Sequence, residues 1–134
     1  MVRVADLMQT DVRTIHLDAT VAEAIVLLSD GHVSGLPVLN DTQHLVGVIS
    51  SSDILTAEAE SEDGEALDRV ATYARVGDLM TRVPKTIAPD ADIKLAAQEM
   101  LYLDVHRLLV VDGDELVGII SQSDIVRAVA GGKL

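Results

Sequence analysis

Two short runs place a serine and an aspartate three residues apart behind a glycine. They are Gly47-Val48-Ile49-Ser50-Ser51-Ser52-Asp53 and Gly118-Ile119-Ile120-Ser121-Gln122-Ser123-Asp124. An ionised carboxylate only accepts hydrogen bonds, and it can take both hydroxyls of a cis-diol. The same acid beside a serine also suits the positive end of a helix, with no ligand at all. Neither run carries an adjacent histidine, so the serine hydroxyls have no base to activate them. His16, His32, His44 and His106 show no His-x-x-x-His spacing of the kind metals use. The sequence also has no Gly-x-Ser-x-Gly elbow and no glycine-rich phosphate loop. Cysteine is absent, which removes thiol nucleophiles, thiolate zinc sites, iron–sulfur sites and disulfides. These residues point to binding rather than catalysis, so the chain is expected not to be an enzyme and to require no metal or cofactor.

Composition narrows the partners. The chain has 134 residues, the usual size of one domain, and hydrophobic residues make up 49% of it. With a mean hydropathy of +0.31, wholesale disorder is ruled out. Two Tyr are the only aromatics, so the core must be aliphatic, and the stacking platforms of single-stranded nucleic-acid binders are missing. Asp and Glu number 22 against 10 Lys and Arg, a net charge of −12. Nucleic-acid backbones and anionic membrane surfaces are therefore disfavoured. One well-placed Arg can still hold a small anion, because exposed charges are screened beyond about 8–10 Å. The start of the chain carries no long apolar region, and the longest apolar stretches are too short to span a bilayer. A soluble, acidic, cytoplasmic globular domain is expected.

An internal repeat supplies the elements that position these residues. Val4-Ala5-Asp6-Leu7-Met8 recurs as Val76-Gly77-Asp78-Leu79-Met80, and Thr14-Ile15-His16 as Thr86-Ile87-Ala88. Leu36-Pro37-Val38 matches Leu108-Leu109-Val110, and the Gly-x-x-Ser-x-x-Asp runs close each copy. Roughly 20 of about 49 aligned positions are identical, far above chance for a fixed period. In the first copy Val21, Ala24, Ile25 and Leu28 fall on one helical face behind Thr20, which with Glu23 predicts a capping box. Ile93, Ala96, Ala97 and Met100 behind Asp92 repeat the pattern. Leu36–Leu39 with Leu45–Ile49, and Leu108–Val111 with Leu116–Ile120, read as antiparallel hairpins. Ser52 and Ser123 are expected to cap closing helices, and Gly131-Gly132 to end the second. Met8 and Met80 read as packing residues. The fold class is α/β, two β-α-β-β-α repeats spanning 1–57 and 76–134. Residues 58–75 form an acidic, solvated connector in which Leu67, Val70, Ala71 and Ala74 predict a further short helix.

In this order, and duplicated, the motifs resemble a tandem pair of CBS domains, the Bateman module named after cystathionine β-synthase. The resemblance runs from Val4 to about Ala130. It implies repeats packed sheet to sheet into one module with two clefts, modules that pair into a homodimer, and an adenosine-containing ligand such as AMP, ATP, NAD(H) or S-adenosylmethionine. Carried over residue by residue, it gives Asp53 and Asp124 the ribose hydroxyls, with Ser50 and Ser121 beside ribose or phosphate. Thr14, Ile15 and His16, and Thr86, Ile87 and Ala88, would line the adenine site, with Pro37, Val38 and Leu109 on the neighbouring strands. His106 and Arg107 match a pair that reaches phosphate in nucleotide-binding relatives, and the planar guanidinium suits that role. The first copy has Ser34-Gly35 at the same place, with no cation. The cleft of Asp53 is therefore expected to hold a nucleotide monophosphate more tightly than that of Asp124, and adenosine to distinguish them much less.

The function expected on this resemblance is a regulatory module that binds an adenine nucleotide and changes its contacts with a partner protein. The alternative is a structural or dimerisation module with no small-molecule ligand.

Overall fold

The structure, a computed structural model, describes residues 1–60 and 73–134 and divides into two compact units. Most of the acidic connector, with the helix expected around Leu67 and Val70, lies outside the described residues. One unit is Arg13–Pro84; the other joins Met1–Val12 to Lys85–Leu134. Each Asp-Leu-Met segment thus packs in the unit built mainly from the other repeat.

In the Arg13–Pro84 unit the elements are β1 (Ile15–His16), α1 (Val21–Gly31), β2 (Gly35–Leu39), β3 (Leu45–Ser50), α2 (Ser51–Ala59), α3 (Val76–Leu79) and β4 (Thr81–Arg82). The sheet order is β1-β2-β3-β4, with the first pair parallel and the others antiparallel. Val21, Ala24 and Leu28 bury one face of α1, as their spacing predicts, against Ile15, Leu36, Val38, Ile49 and Ile54. Thr20 caps α1 by accepting the Glu23 backbone N–H at 3.2 Å. Only this half of the expected capping box forms between Thr20 and Glu23.

The second unit repeats the plan with β5 (Thr86–Ile87), α5 (Ile93–Leu103), β6 (Arg107–Asp112), β7 (Glu115–Ser121) and α6 (Gln122–Ala130). Its leading helix, here α4 (Val4–Leu7), comes first in the chain. Beta5 pairs parallel with β6, and β6 antiparallel with β7. Ile93, Ala96 and Met100 of α5 meet Val4, Leu108, Val110 and Ile120 in the core. Asp92 caps α5 by accepting the Lys94 N–H, and Gly131 ends α6.

The four-residue helices are held by the acid of the Asp-Leu-Met motif. Asp6 accepts the Arg3 N–H at 2.7 Å, and Asp78 accepts the Arg75 N–H at 3.0 Å. Their first N–H groups donate to loop carbonyls, Val4 to Ala91 and Val76 to Ala19, both at 2.9 Å. The glycines of the two runs have a local reason. A β-carbon on Gly47 would lie 2.7 Å from the Thr81 carbonyl oxygen and 2.8 Å from the Met80 sulfur. On Gly118 it would lie 2.6 Å from the Met8 sulfur and 2.8 Å from the Gln9 carbonyl oxygen. Only a residue without a β-carbon leaves room for the segment crossing there.

One expectation about caps is corrected. Ser50 and Ser121, not Ser52 and Ser123, begin the closing helices α2 and α6. Their side chains reach the N–H of the third helical residue, while Ser52 and Ser123 already lie within the helices as exposed positions.

Candidate functional site

The two Ser–Asp pairs are built alike where strand meets helix. Ser50 Oγ accepts the Asp53 N–H at 3.2 Å, and Asp53 Oδ2 accepts the Ser50 N–H at 2.8 Å. Ser121 and Asp124 exchange the same two bonds at 3.2 and 2.9 Å. Each exchange satisfies two orphan donors at a helix start and fixes the carboxylate against the last strand residue.

Beyond the caps the two carboxylates differ. Asp53 is half-buried; Oδ2 takes a further bond from the Ser50 hydroxyl at 3.0 Å, and Oδ1 takes one from the Thr81 hydroxyl at 3.0 Å. Asp124 is 7% exposed, and its Oδ1 accepts two bonds, from Gln9 Nε2 at 3.0 Å and from Arg127 Nη2 at 3.1 Å. Thr81 and Gln9 are counterparts, each directly after a Leu-Met pair. Arg127 has Thr56 as its counterpart, three residues past the aspartate. A cavity of about 300 Å³ opens beside Asp124, lined by Asp6, Gln9, Arg127 and Lys133 among others.

The remaining candidate residues separate by sheet face. Ile15, Val38 and Ile87 are core residues, so their side chains are committed to packing. Pro37 and Leu109 alternate with core residues along β2 and β6 on the opposite sheet faces, and both are buried as well. Thr14 and His16 are half-buried on either side of Ile15, and Thr86 and Ala88 are exposed on either side of Ile87. Arg107 is exposed at the start of β6, in register with Ser121, and His106 Nδ1 lies 3.3 Å from Gln122 Oε1.

A family model described as CBS domain matches residues 4–60 and again 76–131. The chain belongs to the CBS-domain family. Among curated relatives, the chloroplastic CBS domain-containing protein CBSX1 of Arabidopsis thaliana is 31% identical over 88% of this chain. The chain spans 59% of that protein's length. Among solved structures, CBSX2 in complex with AMP is 33% identical with a TM-score of 0.82, covering 100% of both chains. The CBS pair of protein MJ0100, solved with 5′-methylthioadenosine and S-adenosyl-L-methionine, is 27% identical with a TM-score of 0.76. It covers 100% of this chain and 99% of its own. The two-sheet α/β architecture is that of a CBS pair.

Within this CBS pair, sequence reading missed Gln9, Thr81 and Arg127, whose signal is positional. Two follow the duplicated Leu-Met, and the third stands one helical turn past its aspartate. Reading by spacing also missed a cluster of His16, Asp18 and Asp41 that only the fold assembles. His16 Nε2 lies 2.7 Å from Asp41 Oδ1, while Nδ1 accepts the Asp18 backbone N–H at 3.0 Å. That acceptance places the ring proton of a neutral His16 on Nε2, facing Asp41. Nε2 thereby ties the end of β1 to the β2–β3 turn, while Nδ1 holds the loop that follows β1.

Among the described residues no helix is long and apolar enough to cross a membrane.

Proposed function

We propose that this CBS pair is a non-catalytic sensor of an adenosine-containing ligand, with Asp53 accepting the ribose hydroxyls and Ser50 beside them. The observation that carries the reading is the half-buried Asp53 carboxylate, fixed at the start of α2 with neutral hydroxyl donors around it. An anchored acceptor of that kind suits a cis-diol. The adenosyl ligands named with CBSX2 and MJ0100 support the same ligand class. In this reading Thr14, His16, Thr86 and Ala88 lie beside the base, the buried Pro37 and Leu109 stand on the strands next to them, and Arg107 with His106 serves a phosphate. The sensor acts as a homodimer through aliphatic side chains that its helices leave in solvent, such as Val26, Leu55, Leu101 and Val126. Ligand changes its contacts with a regulated protein by binding one arrangement more tightly than another.

The competing reading, a purely structural module, draws on the same caps, since both carboxylates already have partners without a ligand. A thermal-shift series with AMP, ATP, NADH and S-adenosylmethionine separates the two. Ligand at about 100 times its Kd adds roughly 2.7 kcal/mol to stability, several degrees in midpoint at this size. A shift with at least one of them, lost in Asp53→Ala, is expected. No shift with any of the four overturns the sensor.

A further inference from the structure

We propose that Arg127 is a specificity-determining residue that closes the Asp124 carboxylate to diols, leaving Asp53 as the working ribose acceptor of the two. The inference rests on the ligand class proposed above and assigns it to one of two near-identical sequence motifs.

The two aspartates share their cap bonds, so the difference lies in the other oxygen. Among the described residues, Oδ1 of Asp53 holds one bond, from the Thr81 hydroxyl. A hydroxyl rotates at little cost and both donates and accepts, so Thr81 can yield its place to an incoming diol. Oδ1 of Asp124 holds two bonds, one from the Gln9 amide and one from the Arg127 guanidinium. Two donors fill the two lone pairs of that oxygen. The guanidinium bond is charge-assisted, and it forms on a carboxylate whose side chain is only 6% exposed. A diol is neutral; displacing Arg127 would exchange a charge-assisted bond for a neutral one at a buried anion. Space is not the obstacle, because a cavity of about 300 Å³ adjoins Asp124. The obstacle is the occupied acceptor. At the corresponding place in the other unit, Thr56 carries no charge and cannot form this pair.

The consequence departs from an argument based on phosphate alone. If Arg107 were the sole source of asymmetry, adenosine, which has no phosphate, would distinguish the two aspartates little. The Arg127 pair requires adenosine itself to prefer Asp53.

The test follows the amide resonances of Ser50 and Asp53, and of Ser121 and Asp124, during titration with adenosine and with 2′-deoxyadenosine. In the parent, adenosine should perturb the Ser50–Asp53 set with an affinity about tenfold or more above any effect on the Ser121–Asp124 set. Asp53→Asn should abolish that response. In Arg127→Ala the Ser121–Asp124 set should respond to adenosine, with affinity within about threefold of the Asp53 set, and not to 2′-deoxyadenosine. Arg127 is 65% exposed, so the variant is expected to fold, and its thermal midpoint checks this. Equal responses of both sets in the parent, or a weaker Ser121–Asp124 response in Arg127→Ala, overturn the inference while leaving the ligand class standing. If neither set responds to adenosine in the parent or in Arg127→Ala, the sensor reading falls, and the inference with it.

Discussion

The units Arg13–Pro84 and Met1–Val12 with Lys85–Leu134 have the same plan and near-identical cores, yet they treat one carboxylate in opposite ways. Ile49 and Ile120 are both fully buried at matching positions, as are Leu36 and Leu108. Four residues past these isoleucines along the chain, Asp53 keeps neutral hydroxyl neighbours, whereas the buried Asp124 is paired with the guanidinium of the exposed Arg127. Duplication preserves what packing demands, namely volume and apolar character at the centre. It leaves the rim free to diverge, because exchanging Thr56 for Arg127 on an exposed helix face disturbs no core contact. The Gly-x-x-Ser-x-x-Asp run is thus first a structural device. Its glycine admits a crossing segment, and its serine and aspartate cap a helix. Ligand binding, where it exists, is set by the residues around it.

The largest effects should fall on the shared part. Ile49→Ala and Ile120→Ala each remove a fully buried side chain from a strand facing the helices. Each should cost about 2–5 kcal/mol in urea denaturation, with the two values within about 1 kcal/mol of each other. A large inequality would break the claim that the cores are equivalent. The glycine pair comes next. Alanine at Gly47 or Gly118 would force a β-carbon to within 2.8 Å of a methionine sulfur and a carbonyl oxygen. A loss of about 1–3 kcal/mol is expected for each. Unchanged stability with lost ligand binding would instead place the ligand, not the Met8 and Met80 segments, against these glycines.

How much of this could be read from residues alone depends on the range of the interaction. The helices Val21–Gly31 and Ile93–Leu103 follow from apolar spacing, and the hairpins from β-branched runs around Asn40-Asp41 and Asp112-Gly113. Local sequence points two residues past the true caps Ser50 and Ser121, because several hydroxyls compete there. Ser50, Ser51 and Ser52 are consecutive, and only the partner aspartate three residues on selects the first. The short helices Val4–Leu7 and Val76–Leu79 are too brief to show a period, and backbone bonds to distant loops hold them. The partners of the two aspartates were hidden for the same reason. Gln9 stands 115 positions from Asp124, and Thr81 stands 28 from Asp53. No local pattern reports which of them meets a carboxylate. Arg127 was within reach, since an acid and a base three apart on a helix face each other. Burial of one partner is what gives that pair its meaning, and burial is a property of the fold.

The smallest expected effect on stability separates folding from recognition. Arg127→Ala should lower the free energy of unfolding by about 1 kcal/mol, the worth of one hydrogen bond whose arginine end stays largely in solvent. The Arg127 side chain is 65% exposed, so the Asp124 end supplies most of the burial. The carboxylate keeps the Gln9 amide and the Ser121 N–H after the change, so it is not orphaned. The converse substitution, Thr56→Arg, places a cation three residues past Asp53 on an exposed helix position. It should be equally mild in denaturation, yet lower adenosine affinity at Asp53 by about tenfold, as the charge-assisted bond takes the free lone pair of Oδ1. Calorimetry with adenosine on Thr56→Arg, beside a urea titration of the same variant, measures both quantities. Full adenosine affinity in Thr56→Arg would show that the neighbours of Asp53 do not govern its acceptance of a diol. The difference between the two units would then be one of packing alone.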